Sequence, residues 1–458
     1  LGDVYKRQVF SMFLLETGII IAAALLLMAL IMLNFRDFVE DTVVVKLSTL
    51  LAPERIWVPL SVVLLLFIVG GVLPGRLFAR IPVSQVFRRY TEGKKGWKRP
   101  LLFVQFAGVA FISGLMCVVM SQYQYVLKKD MGYNPKQIAI GNAYWDNEAT
   151  RDAAYQFFKG LPYVEAVSSA NSTPISGYSG SMIHSESGQA LFSCRSSYFM
   201  REDFPALMGM TMKTGRMARD KEEVVVNETF AEMMRWGDDV VGRTVYTEGN
   251  TFKVVGQLKD FQIESFRTEK MPFIARGNKN FYGTVHVRLK EPFTENLQKL
   301  NHDVAEAFHD QTIDFTGYEK RIENSYNSVR VFRNATLMAA VTMFFIMLMG
   351  LIGYTTDEVR RRSKEIAIRK VNGAEASGIL EMLSRDILVV AAPAVVIGTV
   401  LAWYVNGMWM EQFAERIPVS WAVYVLVVMA NLVIIVACVL WKSWRIANEN
   451  PVNSIKSE

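Results

Sequence analysis

The sequence contains four histidines, the residue type that most often serves as a general base or a metal ligand. All of them fall in the polar middle of the chain, at His184, His286, His302 and His309. None has a second His or Cys at the spacing of a metal-binding motif, and no HExxH or GxSxG motif occurs. We therefore expect surface or strand histidines and no metal site. The chain is predicted not to be an enzyme, and the polar middle region to be a binding or coupling module.

A second candidate for chemistry is the run Gly93, Lys94 and Lys95, which superficially resembles a phosphate-binding loop. It lacks the first glycine at the required spacing and the Ser or Thr that would bind Mg²⁺, and no strand is predicted before it. We therefore predict no nucleotide or other cofactor site in this chain. If ATP drives its activity, a separate subunit must hydrolyse the ATP.

A charged stretch at residues 357–374 reads DEVRRRSKEIAIRKVNGA. Glu365 and Arg369 stand four residues apart with the acid first, the favourable order for a helical ion pair. Ile366 contributes to a modest apolar side, and Gly373 stands where a helix C-cap is expected. The pattern predicts a short amphipathic helix between two membrane helices. It could be a lever that presses into a groove of a cytoplasmic ATPase, or a solvated basic loop, and charge alone leaves both open.

The elements that must position this stretch are apolar. The chain has 458 residues, of which 51% are hydrophobic and 21% charged, and its mean hydropathy is +0.19. Apolar residues concentrate in six runs of about 18–25 residues, and about 20 helical residues cross the hydrocarbon core of a bilayer. Glu16 is the only charged residue inside these runs. We predict six transmembrane helices, which excludes a soluble enzyme and a disordered chain, at residues 9–33, 56–73, 101–120, 335–354, 387–405 and 421–441.

Lys and Arg are unevenly distributed among the segments between these runs. The loops after the second and fourth runs and the C-terminal tail are basic, whereas the other short loops are not. By the positive-inside rule, the C-terminus is cytoplasmic and residues 121–334 lie outside. This pattern also accounts for the net charge of +6 without a nucleic-acid partner. Cys117 and Cys438 lie in apolar runs, so we expect no disulfide within the chain.

The outside region is predicted to be an α+β domain. Asn227 is expected to cap a helix that stops at Gly237. The stretch 169–187 is rich in Ser and Gly and is predicted to be a mobile loop. The predicted strands are 137–140, 164–168, 223–226, 251–258 and 284–289, and the predicted helices are 148–159, 228–236 and 294–308.

Several polar or small residues lie in the apolar runs. Gly71 and Gly75 have GxxxG spacing, but Pro74 and the membrane edge favour a helix terminus over a helix-packing motif. Gln105 and Asn431 are expected to form hydrogen bonds between helices.

The charged stretch is similar to the signature R-x-x-E-I-x-I-R-K-x-x-G-A of FtsX-like and MacB-like ABC transporter permeases. The tail ANENPVNS resembles the closing motif of that family at Ala447 and Pro451. Four segments of the outside region resemble signatures of the family's periplasmic core domain: 209–216 (GMTMKTGR), 224–229 (VVVNET), 240–242 (VVG) and 254–261 (VVGQLKDF). The residues that match the signature are Arg362, Glu365, Ile366, Ile368, Arg369, Lys370, Gly373 and Ala374.

Residues 16–89 and 386–455 follow one pattern. Each has an apolar run, a short outside loop with a proline near its end, a second run and a Pro-Val tail. We interpret the chain as a duplicated eight-helix permease that is truncated at its N-terminus. The expected layout is a non-native start at 1–8, the end of a first FtsX-like unit at 9–99, a membrane helix at 100–122, a MacB-like core domain at 123–333, and a second FtsX-like domain at 334–458 that contains the coupling segment 357–374.

The resemblance implies a bacterial inner-membrane permease of an ABC exporter. In that family, a cytoplasmic ABC ATPase dimer moves the coupling segment, and the motion expels peptides, drugs or lipoproteins from the periplasmic side. Membrane lipids, a periplasmic adaptor and an outer-membrane channel are further expected partners. The alternative is a non-transporting signalling or scaffold permease that controls a cell-wall hydrolase or a sensor kinase. Neighbouring genes would distinguish the two. The residues expected to carry the coupling are Arg362, Lys364, Glu365, Ile368, Arg369, Lys370 and Gly373.

Overall fold

The fold was analysed in a computed structural model. It describes residues 2–43, 45–50, 52–79, 98–143, 145, 147–175, 177–281, 283–309, 312–373 and 375–447. The chain forms two compact units. The first contains Leu1–Val119, Val329–Asn406 and Val419–Glu458, and the second contains Met120–Ser328 together with Gly407–Pro418.

The N-terminal helices belong to the first unit. A long apolar helix is followed by two short ones, and the second membrane span is interrupted by a π-helical turn at Ile68–Val72. The helices are α1 (Gly2–Asn34), α2 (Arg36–Val43), α3 (Leu47–Leu50), α4 (Trp57–Phe67), α5 (Leu73–Ala79) and α6 (Lys98–Lys128).

Gly71 and Gly75 pack against α1, so the expectation of a helix terminus is wrong. A Cβ atom at Gly71 would lie 3.1 Å from Thr17 Cβ, and one at Gly75 would lie 3.0 Å from the ring of Phe10. The helix continues past Pro74 because the π-helical turn leads into the first turn of α5, where proline needs no hydrogen-bond partner. The two glycines therefore allow a close helix contact.

The second unit contains an eleven-stranded sheet with interspersed helices, an α+β arrangement. Its elements, in chain order, are β1 (Ile138–Ala143), α7 (Glu148–Gly160), β2 (Val164–Ala170), β3 (Ser179–His184), β4 (Ala190–Met200), α8 (Phe204–Met208), β5 (Met212–Gly215), β6 (Glu223–Asn227), α9 (Glu228–Met233), β7 (Thr244–Thr247), β8 (Asn250–Leu258), β9 (Phe273–Gly277), β10 (Gly283–Leu289), α10 (Phe293–Ala307), β11 (Thr316–Gly317) and α11 (Tyr318–Ser325).

Four antiparallel strands form one part of this sheet, in the order β11-β1-β10-β2. Side chains alternate between the two faces of β10, so Val285 and Val287 both face one core. This core also contains Phe158 of α7 and Leu300 of α10. The predicted amphipathic helix over 294–308 is confirmed, since Leu300 and Val304 are buried in this core.

Six other strands pair in a closed ring, in the order β4-β3-β7-β8-β6-β9. The ring closes because β9 pairs with β4 in parallel, with Arg195 opposite Phe273. Its interior is filled by Ile183, Val224 and Phe230. Asn227 caps α9 as predicted, since its side chain accepts a 3.1 Å hydrogen bond from Phe230 N. The helix ends at Met233, earlier than expected.

The stretch 169–187 is not a loop throughout, which corrects the prediction. Residues Ser179–His184 form β3, which pairs with β4 and β7. The polar composition is compatible with a strand because buried hydroxyls find partners: Ser181 Oγ lies 2.8 Å from Ser196 Oγ and 2.9 Å from Glu248 Oε1. A composition of Ser and Gly does not reveal such cross-strand pairing.

The chain returns to the first unit in four helices: α12 (Asn327–Arg361), α13 (Ser363–Val371), α14 (Ala376–Met410) and α15 (Trp421–Ala447). Helices α6, α12, α14 and α15 share one apolar core around Phe106, Met347, Val395 and Ile435. In all, six described helices are long and apolar enough to cross a membrane, as predicted. They are Arg7–Asn34, Trp57–Arg76, Lys98–Lys128, Asn327–Arg361, Ala376–Met410 and Trp421–Trp444.

A different asparagine from the one expected links the membrane helices. The amide of Asn431 donates to Val427 O in its own helix at 2.8 Å, so the prediction of an interhelical bond is wrong for this residue. Asn406 of α14 instead donates to Gly114 O of α6 at 3.1 Å and to the Tyr424 hydroxyl of α15 at 3.2 Å. In a helix, the backbone carbonyl four residues earlier lies within reach of a short polar side chain such as asparagine. This carbonyl competes with hydrogen-bond partners on other helices.

Candidate functional site

The predicted charged stretch is divided between two helices. Residues up to Arg361 belong to the end of α12, and a separate short helix, α13, begins at Ser363. This helix ends at Val371, and Gly373 has a φ of +86°, the left-handed conformation of a C-terminal glycine cap. The prediction of a short helix between two membrane helices is therefore confirmed.

One face of α13 is anchored by apolar contacts. Ile366 is 5% exposed and packs in a cluster with Val359 of α12 and with Ile379 and Leu383 of α14. Burial of this side chain holds α13 against the ends of two membrane helices at once. Any displacement of α13 must therefore act on both α12 and α14.

A nearly buried carboxylate forms the centre of an ionic network beside this cluster. Glu358 Oε1 accepts hydrogen bonds from Arg361 Nη2 at 2.7 Å and from Arg362 Nε at 2.6 Å. Arg362 also pairs with Asp386 of α14, with Nη2 and Oδ2 2.5 Å apart. The side chain of Glu358 is 9% exposed and that of Arg362 is 21% exposed, so water screens these charges poorly.

The protonation of Arg362 reflects this environment. Partial burial lowers the pKa of Arg362, but the carboxylates of Asp386 and Glu358 outweigh it, so the pKa is raised above its ordinary value. The guanidinium group is therefore permanently charged. Because it bridges Glu358 of α12 and Asp386 of α14, it ties the two helices together at the point where α13 begins.

The opposite side of α13 is exposed. Ile368 is 62% exposed and Val371 is 69% exposed. Glu365 and Arg369 form the predicted ion pair at 2.7 Å, and both side chains are about half exposed. Two exposed apolar side chains next to an exposed charged pair have the composition of a surface that another protein can cover.

The predicted site residues thus fall into distinct groups. Arg362 belongs to the ionic network, Gly373 ends the helix, and Glu365, Ile368 and Arg369 lie on its exposed side. Lys364 and Lys370 lie in α13, and their side chains are outside the described part of the chain.

Sequence reasoning missed the centre of the network. Glu358, Arg361 and Arg362 have the i,i+3 and i,i+4 spacing of helical ion pairs, so this signal was available. Asp386 and the apolar residues of α14 carried no such signal, because they reach the site only through the packing of α14 on α12 and α13.

The second unit contains a junction that sequence reasoning did not anticipate. The Gln122 amide donates to Glu415 O at 2.9 Å and accepts from Ile417 N at 3.0 Å. Glu415 also pairs with Lys129, and its backbone N–H donates to Phe266 O at 3.3 Å. Phe413 is almost completely buried. The segment 411–418 that follows α14 is therefore an integral part of the unit that contains the sheet.

The histidines lie apart from both groups of contacts. His286 is fully buried in β10, where Nδ1 donates to Thr284 O at 3.0 Å and Nε2 accepts from the Thr173 hydroxyl at 2.7 Å. Burial lowers the pKa of His286 to about 3, so the ring is neutral at physiological pH. Within the described ranges, no three His, Cys, Asp or Glu side chains come together as a metal site.

Comparisons with known proteins agree with these features. Residues 106–296 match the family model for a MacB-like periplasmic core domain, and residues 335–451 match that for an FtsX-like permease C-terminal region. A macrolide export ATP-binding/permease protein, MacB, from Aggregatibacter actinomycetemcomitans is 21% identical over 365 residues, which cover 72% of this chain and 54% of the relative. The chain thus spans about half the length of this curated relative.

Two solved structures are similar to part of the chain. The crystal structure of the periplasmic region of MacB from Actinobacillus actinomycetemcomitans has 13% identity and a TM-score of 0.32, and covers 44% of this chain and 99% of the solved one. The extracellular domain of the noncanonic ABC-type transporter YknZ from Gram-positive bacteria has 12% identity and a TM-score of 0.29, and covers 39% of this chain and 98% of the solved one.

The family matches include both regions in which the sequence signatures were found. The charged helix α13 lies inside the FtsX-like match, and most of the sheet lies inside the MacB-like match. Together with the six apolar helices, they identify a multi-pass inner-membrane protein. The chain therefore combines a MacB-like periplasmic core domain with an FtsX-like permease C-terminal region, the domains of an FtsX-like and MacB-like ABC permease.

Proposed function

We propose that the chain is the permease subunit of an ABC exporter and that α13 receives the work of a separate ATPase dimer. The observation that carries this proposal is the two-sided character of α13. One side packs on α12 and α14 through Ile366, just after Arg362 is held by Glu358 and Asp386, and the other side exposes Ile368 and Val371. The sequence offers no phosphate-binding loop, so the proposal assigns ATP hydrolysis to that separate dimer.

The contacts of α13 suggest how force would pass through the membrane. Closure of the ATPase dimer would displace α13 on the cytoplasmic side. Because Arg362 is held by carboxylates of both α12 and α14, the two helices would move with it. Helices are stiff along their axes, since every turn is closed by backbone hydrogen bonds. The displacement would therefore reach the opposite ends of α12 and α14.

The chain continues from those ends directly into the second unit. Residue Asn327 at the start of α12 follows α11, and the 411–418 segment follows α14 and is held by Gln122. We propose that the motion changes the periplasmic domain so that it expels substrate from the periplasmic side. The curated relative is a macrolide export protein. The proposed substrates here are peptides, drugs or lipoproteins, with a periplasmic adaptor and an outer-membrane channel as further partners.

Reversal of one exposed charge tests the coupling. Glu365→Lys places a cation beside Arg369 and should abolish the permease-stimulated ATPase activity of the complex while membrane insertion is retained. A matched control is Glu306→Lys on α10, a reversal of another exposed helical carboxylate whose partner, His302, is one helical turn away. ATPase stimulation that is unchanged in Glu365→Lys would contradict the proposal.

A further inference from the structure

A cavity lies between the first turns of α6 and the last turns of α12, both in the first unit. Its volume is about 330 Å³. Leu101, Leu102 and Gly350 form apolar walls, and Gly353 leaves one side open, because an added Cβ there would meet no atom within 4 Å. This part of the cavity can therefore accept an apolar group, and its remaining lining residues, Lys98, Gln105, Tyr354 and Asp357, are polar.

A polar group without a partner borders this apolar space. Gln105 Oε1 is buried and has no hydrogen-bond partner among the described residues. The amide lies against the backbone of α12, since a Cβ at Gly350 would be 2.3 Å from Gln105 Oε1. Buried amides are normally paired, so the free Oε1 acceptor favours an occupant that brings a hydrogen-bond donor to this depth, such as a hydroxyl or a water molecule held by a polar ligand.

The rim of the cavity is basic. Lys98 Nζ lies 2.8 Å from Asp357 Oδ2, and Arg99 Nε donates to the Tyr354 hydroxyl at 3.3 Å. The rim thus places Lys98 and Arg99 next to each other, at the end of the helices where the positive-inside rule expects the cytoplasmic leaflet. Basic pockets between transmembrane helices on this side are typical binding sites for anionic lipid headgroups.

We propose that this cavity binds one anionic phospholipid of the leaflet that faces α13. Its phosphate lies at Lys98 and Arg99, and an acyl chain follows Leu101 and Leu102. Gln105 is seven residues from Lys98, about 10 Å along the helix. It therefore lies near the boundary of the hydrocarbon core, where its NH2 group can donate to an ester carbonyl and its free Oε1 can accept from a hydroxyl of the lipid or from a water molecule. The binding does not depend on the proposed coupling to ATP.

Native mass spectrometry of the purified full chain tests this site, with phosphatidylglycerol and phosphatidylcholine as the added lipids. We expect one phosphatidylglycerol to bind more tightly than phosphatidylcholine. Gly353→Leu fills the cavity and should abolish that single binding event. Lys98→Gln should weaken phosphatidylglycerol binding about fivefold, as expected for the loss of one basic residue at an anionic headgroup. It should leave phosphatidylcholine binding unchanged.

Two matched controls separate the site from general lipid adsorption. Gly378→Leu adds the same side chain to another exposed helical glycine with open space around it, and Lys128→Gln removes a cation from the opposite end of α6. Both should bind phosphatidylglycerol like the parent chain. Equal affinity for the two lipids, or unchanged binding in Gly353→Leu and Lys98→Gln, would overturn the proposal. The proposal would also be overturned if Gly353→Leu abolished self-association and left phosphatidylglycerol binding intact, because the cavity would then bind a second copy of the chain.

Discussion

At the scale of single residues, Glu358 carries more of the candidate site than any residue of the recognised signature. Its carboxylate is nearly buried and accepts hydrogen bonds from two arginines, one of which also reaches Asp386. A buried charge that loses its partner is costly, whereas an exposed pair contributes little. Glu365 and Arg369 form such an exposed pair, which contributes little to holding α13, and the proposed coupling assigns them to contact with a partner.

Glu358→Gln should therefore destabilise the first unit. The amide keeps the shape of the side chain but loses the charge that Arg361 and Arg362 require. We expect a loss of about 1.5–3 kcal/mol in unfolding free energy, typical for hydrogen bonds to charged groups. Thermal unfolding of the purified protein, together with ATPase stimulation, provides the measurement.

The neighbouring carboxylate provides the control for this substitution. Asp357 forms one exposed ion pair with Lys98, with 55% of its side chain accessible, so Asp357→Asn should cost less than about 1 kcal/mol. If the two variants unfold at the same temperature as the parent, Glu358 does not hold the helices together.

At the scale of elements, the segment 411–418 behaves as part of the periplasmic unit and not as an independent loop. Gln122 binds both Glu415 O and Ile417 N through one amide group. The residue is fully buried, so solvent cannot replace these bonds. The segment follows α14 in the chain, and Gln122 provides two of the hydrogen bonds that hold it, beside the Lys129–Glu415 pair and the buried Phe413.

Gln122→Leu should release this segment. Two backbone groups would lose their partners, at a cost of about 1–3 kcal/mol for each group that stays buried. Amide hydrogen exchange should accelerate in residues 411–418 while the strands of the sheet remain protected. Gln124→Leu, an exposed position on the same helix, is the matched control. Exchange that is equally slow in both variants would show that Gln122 does not secure the segment.

The contact of Gly71 and Gly75 with α1 also depends on how neighbouring elements are arranged. Gly71 and Gly75 lie on one face of the helical segment that contacts α1, and Thr17 and Phe10 occupy the space beside them. Their spacing predicted a packing motif, and Pro74 argued against it. The π-helical turn removed that objection, because it lets the helix continue past the proline.

At the scale of the whole molecule, the distribution of basic residues sets the orientation that the mechanism needs. We expect α13 and the C-terminal tail inside, and the sheet outside. Ser187 lies in the exposed turn after β3, and Glu375 is exposed between α13 and α14. The two positions thus report on opposite sides of the membrane.

Thiol labelling of cells with a permeable outer layer and an intact inner membrane tests this orientation. A membrane-impermeant reagent should modify Ser187→Cys directly and Glu375→Cys only after the inner membrane is permeabilised. The parent chain is the control, because Cys117 and Cys438 lie in membrane helices and Cys194 is buried. Labelling of Glu375→Cys from the outside would refute the predicted topology and, with it, the contact between α13 and an ATPase.

The sequence alone was sufficient for the elements that depend on neighbouring residues. The six membrane helices follow from sums of hydropathy over adjacent positions, and the cap of α9 follows from Asn227 next to its own helix. The exposed pair Glu365–Arg369 is likewise one helical turn apart. In each case the interacting groups are close along the chain, so local spacing determines the contact.

Only the tertiary structure decided which distant groups meet. Arg362 forms an ion pair with Asp386 of α14, and Gln122 forms hydrogen bonds with a segment more than 290 positions away. Strand β9 pairs with β4 and closes a ring of strands. The same polar side chains could have bonded their own helix, as Asn431 does. The choice depends on which carbonyl or carboxylate the packed helices and strands bring within about 3 Å, and this distance is set by the whole fold and not by spacing along the chain.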